Sequence, residues 1–234
     1  MDRLNYFNPY NRKEAHEEDN LTWAFMVLLK HSYSLTHWFY EYINQEFSTS
    51  GQESILPHLS PLDIQKVDIK TQVQNPVVES EQLLSLLITD SSLPISDQIT
   101  TADRNARYDG FITFDNLISI AIEVKPSSGN VYIEQLNPSA FNLSEETQVI
   151  STPVVLEWKG IINQLTLLSN TDLLHRTEIM LINDFLEFVD AHFPYLNPYD
   201  RVSLCKGNET LLQRRIENIL REMAANEDGV GYHR

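Results

Sequence analysis

Two strand-like segments, residues 107–114 and 117–125, joined by a short polar turn, constrain the fold of this chain most. Both are rich in β-branched and aromatic residues, which suit a pleated surface. The second is almost continuously apolar, as expected of a central strand covered on both faces. Yet it ends in Glu123 and Lys125, and the first segment carries Asp109. Ionised groups beside a buried strand are rare unless they are paired, bind metal or take part in catalysis.

The length of the turn decides whether these charged residues can meet. Side chains two residues apart share one face of a strand, so Glu123 and Lys125 point the same way. A two-residue turn would put Asp109 on the opposite face. A three-residue turn, or a bulge for which Gly110 is a natural position, would set Asp109 opposite Glu123 with Cβ atoms roughly 5 Å apart. We therefore predict an odd-length turn or a bulge.

Periodicity along the rest of the chain predicts an α/β fold, with a mixed central sheet flanked by helices and a helical C-terminal part. Helices are predicted near residues 14–31, 34–47, 156–169, 173–191 and 209–224. Strands are predicted at residues 65–74, in the hairpin 106–125, and at 148–156 with an interruption at Pro153. The apolar segment 82–89 fits either a strand or a short helix. We predict three regions: an N-terminal arm (1–13), a core (14–170), and a helical extension (171–234) packed on that core.

Charge and composition restrict the function classes. The net charge of −16 repels nucleic acid at long range, so a nucleic-acid function needs a basic patch, metal ions in an acidic cleft, or a partner that delivers the substrate. No apolar run approaches the roughly 20 residues that span a bilayer, and the N-terminus does not resemble a signal peptide. The single cysteine, Cys205, cannot form an internal disulfide. We expect a cytoplasmic protein without a membrane partner.

The three charged residues of the hairpin carry a family resemblance. Asp109 precedes a glycine on the first strand, and Glu123 and Lys125 stand one residue apart at the end of the apolar strand. This pattern resembles the PD-(D/E)XK superfamily, the restriction-endonuclease-like nucleases, although Tyr108 replaces the proline of the signature. The resemblance implies that Asp109, Glu123 and the carbonyl of Val124 bind Mg²⁺ or Mn²⁺, hard cations that favour oxygen ligands. It also implies that Lys125 positions or activates the attacking water.

The resemblance extends to the first helix and to the segment after the hairpin. It implies a core order of helix, three strands, helix and strand. The sequence Glu18-Asp-Asn-Leu-Thr22 looks like the opening helix of bacterial defence nucleases in this superfamily, which indicates Glu18 as a further catalytic carboxylate and Glu17 as the alternative. Acids in a first helical turn also complement the helix dipole without any catalytic role. Gln135 stands where some members carry a substrate-positioning glutamine, although a structural role is the simpler interpretation.

The function implied is a magnesium-dependent DNA endonuclease in bacterial defence against phage or foreign DNA. The motif does not distinguish DNA from RNA. Because the chain is acidic, we further expect cleavage to wait on a partner subunit or on homo-oligomerisation. The alternative from another class is a PD-(D/E)XK-like interaction module that has lost catalysis and serves in a multi-subunit complex. An ordinary strand-end salt bridge would also explain Glu123 and Lys125.

Overall fold

The computed structural model describes residues 5–7, 17–49, 56–60, 64, 66–90, 98–125, 133–196, 205 and 209–230. The side chains at 17, 18, 218, 221, 222 and 225–230 lie outside that description. The described part is a mixed α/β fold with one six-stranded sheet and five α-helices, which confirms the predicted α/β class. Within these ranges, no helix combines the length and the apolar character needed to cross a bilayer.

The regular elements follow the predicted order closely. The helices are α1 (Glu17–Lys30), α2 (Tyr33–Thr49), α3 (Trp158–Leu168), α4 (Arg176–His192) and α5 (Glu209–Val230). The strands are β1 (Val67–Gln74), β2 (Gln82–Thr89), β3 (Arg107–Phe114), β4 (Ile118–Lys125), β5 (Gln148–Val149) and β6 (Val154–Glu157). Short 3₁₀ helices span Ile133–Leu136, Ala140–Asn142 and Pro194–Leu196. The segment with two possible structures is strand β2, and Pro153 lies in the break between β5 and β6.

The sheet is mixed, with β4 and β2 in its interior. Its order is β1-β3-β4-β2-β5, and β6 also pairs with β2. The pairs β1–β3 and β3–β4 are antiparallel, whereas β2 is parallel to β4, β5 and β6. Nearly every residue of β2 and β4 is buried, because a parallel strand inside a sheet is covered on both faces and must be apolar throughout. The predicted central position of β4 is confirmed.

One part of the predicted core order is not confirmed. The resemblance implies a helix between the hairpin and the last strand. The described residues that follow β4 and precede β5 form only the 3₁₀ turns Ile133–Leu136 and Ala140–Asn142. Strand β2, which the implied core order does not include, lies between β4 and β6. An apolar strand of this kind is buried on both faces when it lies inside a sheet. The restriction-endonuclease-like core is therefore not established by this topology.

Helix α1 packs closely against the hairpin at a glycine. A Cβ on Gly110 would lie 2.9 Å from the Met26 Cε and 3.3 Å from the Ile122 Cβ, so a larger residue here would require the flexible end of Met26 to move. Gly110 pairs regularly with both neighbouring strands and forms no bulge. The Phe25 ring meets Trp158 edge-on, with centroids 5.5 Å apart. Burying each such side chain stabilises the fold by about 1.5–3 kcal/mol, which holds α1 over the sheet.

The contacts divide the chain into two units, residues 9–158 and residues 159–234 together with 1–8. In the second unit, Phe7 is fully buried and its ring centroid lies 5.7 Å from that of Phe185. The Asn5 side-chain amide donates to the Asp184 carbonyl at 2.8 Å. The sequence-based boundaries fall after residues 13 and 170 instead. Residues 5–7 group with the C-terminal helices because the apolar Phe7 is buried against α4.

Candidate active site

A three-residue turn joins β3 to β4, which confirms the odd-length prediction. Phe114 pairs with Ile118, and three residues remain between them. The first of these, Asp115, has a positive φ of 47°, a left-handed conformation that aspartate tolerates better than most residues. One step beyond the last backbone pair of the two strands, this register sets Asp109 opposite Glu123. The turn length is therefore what brings the two carboxylates to the same level of the sheet.

The two strands separate where the charged residues begin. Backbone pairing of β3 with β4 ends at Gly110, whereas β3 stays paired with β1 as far as Arg107. The N–H of Val124 donates to the Asp109 Oδ2 at 2.9 Å across the gap. The N–H and C=O of one strand residue face the same neighbour. The carbonyl of Val124 therefore faces this gap as well, beside the Asp109 carboxylate.

Glu123 is a buried carboxylate with a cationic partner. Its side chain is 9 % exposed, and the Lys125 Nζ lies 2.9 Å from its Oε1. Burial raises the pKa of Glu123 above its ordinary value, and the charge of Asp109 raises it further, while Lys125 and Arg104 act in the opposite direction. A buried carboxyl beside a second carboxylate is stabilised in its charged form by a cation placed near both.

Arg104 is one of the residues at this site that the sequence did not indicate. Its Nε donates to the Asn137 carbonyl at 3.0 Å and its Nη2 to the Gln135 carbonyl at 2.7 Å. Burial raises the pKa of the Tyr108 hydroxyl to about 12, against the effect of Arg104. Arg104 is the single cation of the polar segment 90–105, which is the one signal that points to it. A guanidinium held near Glu123 supplies a second positive charge beside that of Lys125.

Gln135 lies near the site, but by its backbone rather than by its side chain. It belongs to the 3₁₀ helix Ile133–Leu136, and its carbonyl receives the Arg104 hydrogen bond. Its side-chain Oε1 is buried and has no hydrogen-bond partner among the described residues. The predicted substrate-positioning role of Gln135 stays a prediction.

Among the described side chains of α1, Asp19 is an acid that joins this network. The side chains of Glu18 and Glu17, the two acids favoured by the sequence, lie outside the described residues. The Gln72 Nε2 donates to the Asp19 Oδ1 at 3.2 Å, and it also donates to the Asp109 Oδ1 at 3.2 Å. Asp19 is therefore linked to Asp109 through a single amide group.

The donor set fits a hard divalent cation. Asp109, Glu123 and the Val124 carbonyl offer oxygen ligands, which Mg²⁺ and Mn²⁺ prefer, and Mg²⁺ commonly keeps several waters beside one or two carboxylates. Among the described side chains, no three or more His, Cys, Asp or Glu residues form a group that could hold a metal by themselves. The arrangement is thus an open site with two carboxylates rather than a closed structural metal centre.

Comparisons of this chain with protein-family models, with curated proteins and with solved structures found no match. The pattern of residues and the geometry of the hairpin are therefore the features that point to a function.

Proposed function

We propose that this chain is a metal-dependent phosphodiesterase, a DNA endonuclease that acts in the bacterial cytoplasm against phage or foreign DNA. The observation that carries the proposal is the hairpin register, which sets Asp109 opposite Glu123 while Lys125 bonds to Glu123. The same residues carry the resemblance to the PD-(D/E)XK nucleases. A restriction-endonuclease-like core is part of this proposal.

In this proposal Asp109, Glu123 and the Val124 carbonyl hold Mg²⁺ or Mn²⁺. When bound, such a cation lowers the pKa of a coordinated water and offsets the charge that develops on a phosphate. Burial raises the free energy needed to ionise the Glu123 carboxyl. A cation bound beside it would lower that free energy, so this position suits a cation better than an exposed acidic patch does. Asp19 is the acid among the described side chains of α1 that joins this network, since Gln72 links it to Asp109. Glu18, with Glu17 as the alternative, stays the predicted further carboxylate of this helix.

In this proposal Lys125 orients the attacking water and supplies positive charge. Its ammonium group, held at 2.9 Å from the Glu123 Oε1, has three donors and can bond to the attacking water while it contacts the carboxylate. A compact positive charge also stabilises the developing phosphorane. Arg104, held by two carbonyl groups, keeps a second positive charge near Glu123.

The charge of the whole chain shapes how substrate reaches the site. At −16, the protein repels a polyanion at a distance, so we propose that a partner subunit or a second copy delivers the nucleic acid. Robust cleavage by the purified monomer at physiological salt would contradict this part of the proposal and leave the chemistry untouched.

A plasmid-cleavage assay with Mg²⁺ and with Mn²⁺ tests the chemistry. At protein concentrations high enough to supply a second copy, we expect the wild-type chain to nick or linearise plasmid and EDTA to abolish the reaction. We expect Lys125→Ala to lower the rate by about 10²–10³-fold, since removing one preorganised donor that stabilises developing charge costs on that scale. A parallel reaction with single-stranded RNA separates a DNA nuclease from an RNA nuclease.

Lys70→Ala is the matched control for this experiment. Lys70 also pairs with a carboxylate, at 2.7 Å from the Asp68 Oδ2, but both side chains are largely exposed and lie on β1. We expect Lys70→Ala to cleave like the wild type. A wild-type chain that binds Mn²⁺ poorly and cuts neither DNA nor RNA, with or without EDTA, would favour the inactive interaction module instead.

A further inference from the structure

Gln72 has an unusual backbone conformation at the point where it faces Asp109. Its neighbours pair in register, Thr71 with Gly110 and Val73 with Tyr108, so Gln72 stands opposite Asp109 on the adjacent strand. Its φ is 51°, in the left-handed region that is costly for a residue with a side chain and rare inside a strand. The residue is exposed, so burial of its side chain does not impose this conformation.

The contacts of the Gln72 side chain explain what the conformation achieves. The Nε and Nη2 of Arg107 both donate to the Gln72 Oε1, which fixes the orientation of the amide. The Nε2 is then directed towards the two carboxylates and donates to Asp109 and to Asp19, at 3.2 Å in each case. One neutral amide therefore bridges two acids that would otherwise repel each other.

We propose that Gln72 is a positioning residue that holds Asp109 ready for a divalent cation, an inference that rests on the proposed function. Each oxygen of Asp109 accepts one described hydrogen bond, Oδ1 from Gln72 and Oδ2 from the Val124 N–H. These two bonds determine the rotation of the carboxylate. A carboxylate oxygen has two lone pairs, so each oxygen keeps a position for a metal ligand bond. Residues that orient a metal ligand in this way commonly alter metal affinity when they are replaced.

Two substitutions separate the amide from the backbone. Gln72→Met keeps the length of the side chain and the strained backbone but removes the amide, and Gln72→Gly removes both the amide and the strain. By isothermal titration of the full chain with Mn²⁺ alone, we expect both variants to bind Mn²⁺ about 10–100-fold more weakly than the wild type. We expect the melting temperature of Gln72→Gly to exceed that of Gln72→Met by about 2–4 °C. A merely structural role would instead lower the stability of both variants and leave the affinity for Mn²⁺ unchanged.

Asn75→Gly is the matched control, because Asn75 also has a positive φ, of 48°, just beyond the end of β1. Its side-chain amide donates to the Asn105 Oδ1 at 3.3 Å, and no described hydrogen bond joins it to Asp109. We expect this variant to bind Mn²⁺ like the wild type.

The outcomes distinguish this inference from the proposed function. Variants of Gln72 that bind Mn²⁺ and cleave plasmid like the wild type would overturn the role of Gln72 alone. A wild-type chain that binds Mn²⁺ without any cleavage would overturn the nuclease proposal, and the ratio of the Mn²⁺ dissociation constants would still decide the role of Gln72. A wild-type chain that does not bind Mn²⁺ would overturn both.

Discussion

The two ends of the β3–β4 hairpin solve the problem of buried polar groups in different ways. At the turn end, Thr113 and Ser119 share a hydrogen bond at 3.1 Å, and the Ser80 hydroxyl lies 2.9 Å from the Ser119 Oγ. These groups are neutral and satisfy one another. At the open end, the Asp109 carboxylate accepts a hydrogen bond from the Val124 N–H, and burial raises the pKa of Glu123. The buried Glu123 carboxyl at the open end therefore costs free energy to ionise, whereas the neutral hydroxyls at the turn end carry no such cost.

The two ends also differ in which of them has the features of a reactive site. A concavity of about 920 Å³ lies at the turn end, lined among others by Lys66, Thr113 and Ser119. Its volume does not identify a reactive site, because its buried hydroxyls are engaged with one another. The open end holds Glu123, a buried carboxyl whose pKa is raised and which lies beside a second carboxylate and a lysine. Such a group is a stronger indicator of a functional site than volume is.

Of the substitutions that test the contrast between the two ends of the hairpin, Asp109→Asn is expected to have the largest effect. With Mn²⁺ at 100 times its dissociation constant, binding should stabilise the wild-type chain by about 2.7 kcal/mol. That corresponds to a rise in melting temperature of roughly 5–11 °C for a chain of this size. We expect Asp109→Asn to lose most of the rise, because one oxygen ligand loses its charge. Thermal melts with and without Mn²⁺ measure it, and Asp68→Asn, at an exposed acid of β1, serves as the control.

An intermediate effect is expected at the turn end. Ser119→Ala removes the hydroxyl that Thr113 and Ser80 share, and a hydrogen bond of this kind contributes about 1 kcal/mol to the free energy of unfolding. Chemical denaturation measures the loss, and we expect metal affinity and cleavage to remain at wild-type values. A loss of cleavage out of proportion to the loss of stability would remove the distinction between the two ends.

The smallest effect concerns the pH dependence of stability at Glu123. Its pKa is raised in the folded chain, so the native state keeps a proton that the unfolded state has already released. Its contribution to stability therefore falls as pH rises from the ordinary glutamate value through the raised folded value. In EDTA, we expect Glu123→Gln to be more stable than the wild type at neutral pH, with a gap that narrows in acid. A gap that widens as the pH falls would contradict the direction of this shift.

The fold was predictable wherever local pattern decides structure. The apolar run of β4, the alternation of β1 and the break at Pro153 all appear at the expected places, because burial on one face or two leaves a direct record in the sequence. The segment that became β2 was ambiguous, since a short apolar run fits a buried strand and a buried helix equally well. Its place beside β4 depends on parallel pairing between distant segments, which no local pattern records.

The site was predictable in part for the same reason. The approach of Asp109 to Glu123 follows from turn length and from the period of two along a strand. Asp19, Gln72 and Arg104 reach the network from α1, β1 and the loop before β3. Their spacing in the sequence says nothing about this convergence, because it depends on how those elements pack.

From the sequence one could derive a buried hairpin with Glu123 and Lys125 on one face, and a condition for Asp109 to join them, namely an odd-length turn or a bulge. Only the folded chain shows that the pairing of β3 with β4 ends at Gly110 while β3 stays paired with β1. Only the folded chain shows that Gln72 has a left-handed backbone and bonds to both Asp19 and Asp109. The physical reason is that strand separation and backbone strain are maintained by contacts between distant segments, and such contacts form only when the whole sheet assembles.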